Sequence, residues 1–264
     1  MEEEFLYKRI QEALENIPEN FNILEEQIDV QLQMEYFEFS RKFREDEDVN
    51  HFMKQSDQLN NNELDVETRK KILVALASSS EVESFRAIEH YLKEPDPLLK
   101  DWAVLALQES RMLMQSALLD EQQVFISTGL GGKGQKLRYF VVFLHQSGGV
   151  LSDMQKKLVN DELKYALTQN EGELEELSSM IDFTTALVIL PIKAPLKDIF
   201  REIIDECNQY GNFLQEDMVI TNVKRLNPLE IVELLNQQRM AGEDELSDDI
   251  EGQDEEDEQD EDDE

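Results

Sequence analysis

The run Thr128-Gly129-Leu130-Gly131-Gly132-Lys133-Gly134-Gln135-Lys136, with Leu137 and Arg138 after it, is where residue types and spacing come nearest to chemistry. Glycines bare backbone N–H groups, and Lys133, Lys136 and Arg138 add positive charge, which together suit an anion. A phosphate-binding P-loop requires Gly-Lys, then Ser or Thr, then a helix. Here Lys133 is followed by Gly134 and then by a β-branched, aromatic run. Without a helix N-terminus the dipole contribution to anion binding is missing. The segment therefore reads as a hairpin turn carrying a small basic island in an acidic chain. Its candidate contact residues are Gly129, Gly131, Gly132, Lys133, Gly134, Lys136 and Arg138.

Other reactive side chains are scattered. His51, His90 and His145 lie far apart, and no cysteine–histidine cluster has zinc spacing. The single cysteine, Cys207, falls on the apolar side of the pattern Ile199, Phe200, Ile203, Ile204, Cys207, where a buried thiol is expected rather than a nucleophile. No carboxylate pair is flanked by apolar residues that would raise one pKa for acid–base work. These absences lead to the expectation of a protein that is not an enzyme, with no catalytic residues, metal ligands or cofactor.

The other conspicuous feature is electrostatic. Residues 241–264 carry 16 acidic side chains and no Lys or Arg. Asp254, Glu255, Glu256, Asp257 and Glu258 are the densest part of this candidate acidic tail. Such a run buries little apolar surface and repels itself, so a disordered, extended segment is expected. Those carboxylates account for less than half of the net charge of −35, so the body is acidic as well. An acidic field attracts basic proteins and repels phosphates and anionic membranes. The expected partner is thus a basic protein, with no direct nucleic acid and no membrane, and the charge leaves the oligomeric state open. The lone cysteine fits a reducing compartment. The acidic, amphipathic start MEEEFLYKRIQEAL lacks the basic and apolar regions of a signal peptide, so a soluble, cytoplasmic protein is expected.

The positioning elements follow from periodicity. Between Glu2 and about Asn60, apolar residues recur at three- and four-residue steps, first Phe5, Leu6, Ile10, Ala13, Leu14 and Ile17 up to Pro18. A second helical segment carries Ile23, Leu24, Ile28 and Leu32, with an aromatic core stripe from Tyr36 to Phe43. Thr68-Arg69-Lys70-Lys71-Ile72-Leu73-Val74-Ala75-Leu76 then aligns with Leu99-Lys100-Asp101-Trp102-Ala103-Val104-Leu105-Ala106-Leu107. Each copy has a basic residue, an apolar residue three later, and a closing Ala-Leu. Together with Pro95-Asp96-Pro97-Leu98, this pattern resembles HEAT-type helical repeats over about residues 65–120. The second helices would be Glu81 to Lys93 and about Glu109 to Leu119. The resemblance implies a short helical scaffold that binds proteins.

After Asp120 the period changes. Val124 to Ser127 and Leu137 to Leu144 have strand composition. A helix from Ser152 to about Gln169, strands near Leu174–Met180 and Thr184–Ile192, a helix from Pro195 to about Tyr210 and a strand at Met218–Val223 follow. From Leu137 the order is strand, helix, strand, strand, helix, strand, which is the ferredoxin-like order. The Val124 strand is expected as a hairpin partner at its front. Asn227-Pro228 begins a last helix to about Met240.

The fold class expected is therefore α+β. An all-helical, HEAT-like region (1–120) precedes a ferredoxin-like antiparallel sandwich (121–240) and an acidic tail (241–264). The expected function is an interaction adaptor, or an assembly-chaperone-like protein, whose tail and body engage a basic partner. A regulatory small-molecule-binding module is the alternative, and an unrecognised enzyme the third.

Overall fold

A computed structural model describes residues 21–61, 63–120, 124–146 and 149–234. Among the described residues, those up to 224 form one compact unit and those from 225 a second. The acidic tail lies outside the described residues, as does the N-terminal pattern up to Pro18.

The first unit is α+β. It opens on strand β1 (Phe21–Ile23), followed by helices α1 (Val30–Asp46), α2 (Val49–Met53), α3 (Val66–Ala77), α4 (Val82–Tyr91) and α5 (Lys100–Leu119). The starts are set by side chains that satisfy orphan N–H groups. Asp29 accepts from Gln31 and Leu32, and Asp65 accepts from Thr68. Buried residues Tyr36, Ile72, Leu73, Leu76, Ile88, Trp102 and Leu105 belong to the core of this helical half. The aromatic stripe joins it: the Trp102 ring lies edge-on to Tyr36 and to Phe39, with centroids 5.1 and 5.3 Å apart. Burying such rings supplies apolar area, and the edge-to-face geometry adds to it.

Strands β2 (Val124–Ile126), β3 (Gly132–Lys133) and β4 (Lys136–His145) lead into helix α6 (Asp153–Gln169). Strands β5 (Glu173–Ser179) and β6 (Phe183–Pro191), helix α7 (Leu196–Asn208) and strand β7 (Leu214–Thr221) complete the unit. Strand β4 pairs antiparallel with β6 on one side, and with β3 and β7 on the other; β5 borders β6. Successive strand residues face opposite ways. Leu137, Tyr139, Val141 and Phe143 therefore share one face, in a core with Val159, Leu163 and Leu167 of α6 and Ile199, Phe200, Ile203 and Ile204 of α7. On the opposite face Phe140, Val142, Leu144, Leu187 and Ile189 are buried too. Ser152 and Gln155 form a reciprocal capping box that starts α6.

Three sequence expectations are corrected. The helical pattern expected from Ile23 begins only at Val30, and Phe21–Ile23 is a strand. Its β-favouring residues find a partner in Val124–Ile126, and the Asp29 cap sets the helix start later. That partner choice corrects the second expectation. β2 pairs in parallel with β1, not as a hairpin with β4, and the short β3 takes the hairpin position. Third, the second repeat copy and the helix expected from Glu109 are one continuous helix of 20 residues. No Gly or Pro interrupts Gln108-Glu109-Ser110, and all three side chains are buried.

In the second unit, residues 228–234 are helical. Asn227 Oδ1 accepts from the Leu229 and Glu230 N–H groups, and Glu230 accepts in return from the Asn227 N–H.

Candidate functional site

The glycine-rich segment is a brace built from backbone. Gly131 adopts φ +65°, and a Cβ there would lie 2.5 Å from the Glu25 and Glu26 carbonyl oxygens. A Cβ on Gly129 would lie 1.7 Å from Val223 O, and one on Gly132 would lie 2.2 Å from Lys136 O. Glycine is required at these places because other chain segments pass where a side chain would be. Gly134 turns the β3–β4 hairpin at φ +61° with open space around its Cα, and its N–H donates to Glu25 Oε1 at 2.9 Å.

The basic island is engaged from within. Lys133 Nζ meets Glu173 Oε2 at 2.7 Å. The hydrogen bond and the charge of Glu173 raise the ammonium pKa, while Lys133 lowers that of Glu173. Lys136 Nζ donates to the Glu171 carbonyl oxygen. Arg138 forms a two-pronged pair with Glu175, its Nη2 donating to Oε1 at 3.0 Å. Its Nη1 reaches Leu130 O at 2.7 Å and Glu25 O at 3.4 Å. All seven candidate loop residues thus sit together, but their donors point mostly at the chain's own carbonyls and carboxylates. Spacing could not show this, because every partner but Leu130 lies 35 to 113 residues away.

A second feature has no motif. A cleft of about 710 Å³ opens beside α3, α4 and the Lys93–Pro97 turn. Arg69 is buried on its wall and pairs with Asp96 through Nη2 at 2.8 Å. The Asp96 carboxyl is held below the usual range by the Leu98 N–H and then by Arg69. The Tyr91 hydroxyl accepts from the Asp96 N–H at 3.3 Å, and burial raises its pKa. Asn60, His90 and Lys93 are exposed at the lip. This arrangement suits a small polar molecule in size and in donor content. The basic position of the first repeat copy, Arg69, and the Pro95-Asp96-Pro97 turn were its only traces in the sequence.

His145 ends β4 and is buried. Its Nδ1 lies 3.0 Å from both Gly149 O and Ile181 O, and its Nε2 lies 3.0 Å from Thr184 Oγ1. Thr184 Oγ1 is 2.9 Å from Ser179 Oγ. Carbonyls cannot donate, so Nδ1 carries a proton. His51 is exposed on α2. Cys207 is buried, and burial, followed by Glu162 and Glu206, pushes its thiol up to about 12. Among the described residues no three His, Cys, Asp or Glu side chains converge on a cation position, and no helix is long and apolar enough to cross a membrane. Asp254 to Asp257 and Glu258, the tail candidates, lie outside the described residues.

No family model matches the chain, and no curated protein does. Solved structures are similar in part. A protein described as a transposase from Deinococcus radiodurans R1 is 19% identical, with a TM-score of 0.35, over 40% of this chain and 94% of that one. A REP-associated tyrosine transposase bound to a REP hairpin is 12% identical, with a TM-score of 0.29, over 34% of this chain and 57% of that one. A C-terminal segment of the alpha subunit of aIF2 from Pyrococcus abyssi is 11% identical, with a TM-score of 0.21, over 74% of this chain and 98% of that one. At these scores the likeness assigns no activity to this chain. It does correct two exclusions. The expectation of a non-enzyme, and that of no direct nucleic acid, stand against two transposases, one of them bound to a hairpin. The physical reason is that one exclusion used spacing along the chain and the other used net charge. Reactive groups converge from distant positions, and a net charge does not fix the local field of a site.

Proposed function

We propose that the protein is a cytoplasmic interaction adaptor, in one version an assembly chaperone, that captures a positively charged segment through its acidic surface. In this reading the helical half is a short HEAT-like scaffold at about 65–120, the sheet half is a ferredoxin-like sandwich, and residues 241–264 add acidic charge. The strand order β7-β4-β6-β5, with both helices on one face, supports the ferredoxin-like part. The observation that carries the functional reading is the disposition of charge. Arg44, Arg69, Lys71, Lys133 and Arg138 are each paired with a carboxylate of the same chain. Acidic side chains number 60 against 25 basic ones, so the surplus charge is negative. Such a field accelerates encounter with a cationic segment and weakens as salt screens it.

The test is fluorescence anisotropy with a labelled lysine-rich peptide and, in parallel, a labelled DNA hairpin, at low and at moderate salt. Peptide binding that weakens steeply with salt, and weakens further when the chain ends at Met240, supports capture by body and tail. Hairpin binding without peptide binding overturns the reading.

The cleft beside Arg69 favours a second reading, a regulatory small-molecule-binding module. Saturable thermal stabilisation by a small polar compound, abolished by Tyr91→Phe with Lys93→Ala, would distinguish it.

A further inference from the structure

Two segments at the end of the sheet where β4 finishes carry four exposed apolar side chains. Val150 and Met154 lie on either side of the Ser152 cap, at 64% and 83% exposure. Met180 and Ile181 form the β5–β6 turn, at 42% and 61% exposure. One buried ring brings the two segments together. His145 Nδ1 is 3.0 Å from Gly149 O, next to Val150, and 3.0 Å from Ile181 O. The imidazole is itself held by Thr184 through Nε2, and the His145 carbonyl accepts from Gln215 Nε2 at 2.8 Å. These bonds hold the backbone at Gly149 and Ile181, which lowers the ordering left to do on binding. Asp153 and Asp182, both exposed, flank the apolar side chains in sequence.

We propose that Val150, Met154, Met180 and Ile181 form a docking surface for an amphipathic, lysine- or arginine-bearing segment of a partner protein. The apolar side chains would take its apolar face, and Asp153 and Asp182 would meet its cations. This deepens the adaptor reading and rests on it. The chemistry of the patch selects the occupant. An apolar centre with a charged rim is the usual anatomy of an interface, and methionine adapts to differently shaped apolar partners. A second copy of this chain carries the same net charge of −35, which opposes association of like copies.

The experiment uses the full chain and two labelled peptides of equal length and lysine content. One places leucines on one face of a helix, and the other replaces those leucines with serine. Anisotropy titrations are run with the natural chain and with Met154→Ser/Ile181→Ser, which keeps the charge and alters only exposed positions. The expected result is that the leucine peptide binds the natural chain about tenfold more tightly than the serine peptide. The double variant should lose that preference while its affinity for the serine peptide is unchanged. A second readout is amide exchange, with slowing expected at residues 149–154 and 179–182 when the leucine peptide is bound. A preference that survives in the double variant, or slowing confined to other segments, overturns the docking surface. Equal binding of both peptides by the natural chain also overturns it and leaves electrostatic capture standing. If neither peptide binds, both the surface and the adaptor reading fall.

Discussion

The Tyr36 hydroxyl donates to Glu109 Oε2 at 2.6 Å, tying α1 to α5 inside the helical core. Glu109 Oε1 takes Arg44 at 2.8 Å, and Ser40 bridges the arginine and the carboxylate. A buried carboxylate persists only when donors of this kind surround it. Tyr36→Phe removes one of them and should destabilise the protein by about 2 kcal/mol. Glu109→Ala should cost more, since it leaves the Tyr36 hydroxyl without its acceptor and Arg44 without its counter-charge. Urea unfolding midpoints of the two variants measure the order.

Alkaline pH should weaken the fold through its buried phenols. Burial pushes Tyr139 up to about 12, and burial together with Glu109 raises Tyr36 well above the ordinary phenol value. Folded pKa values above the unfolded one mean that this contribution is complete below about pH 10 and is lost as pH rises towards 12. A series of urea midpoints between these limits should fall, and Tyr139→Phe should fall less steeply. A midpoint independent of pH in that range would contradict the assignment.

The glycine brace makes a position-specific prediction. Gly131→Ala places a methyl group against two carbonyl oxygens in a left-handed backbone, whereas Gly134→Ala meets open space at a similar φ. The second change should cost only the backbone term, about 1 kcal/mol, and the first clearly more. Thermal melting of the pair separates contact from conformation.

Cys207 should be inert in the folded protein, its thiol being buried and held at about 12. An aromatic disulfide reagent at mildly alkaline pH should label it only after denaturant is added. Fast labelling of the native chain would show that α7 opens readily.

Legibility in the sequence followed the range of the interactions. Strands β4 and β6 and helices α6 and α7 were readable because their apolar runs and caps are local: Ser152 announces α6, and Ile199, Phe200, Ile203 and Ile204 give α7 its buried side. β1 was not, because three residues paired with a segment about a hundred positions away leave no periodic trace. The site residues divide in the same way. The glycine run was visible as composition, but the reason for its glycines is the passage of Glu25, Glu26 and Val223 beside it. His145 was visible only as a lone histidine. Its role comes from carbonyls at positions 149 and 181 and from Thr184.

The parallel pairing of β1 with β2 places the entrance and exit of the helical half side by side. Phe21 lies opposite Val124, and Ile23 opposite Ile126. Ile23 is buried in the core shared with α6 and α7, where Phe21 and Ile126 also pack. The hundred residues between therefore form a closed excursion that leaves and re-enters at one point. Lengthening the connections between the helices of that excursion leaves the two anchor strands and the Glu25–Glu26 brace in place, so those connections can diverge while the sheet half keeps its geometry.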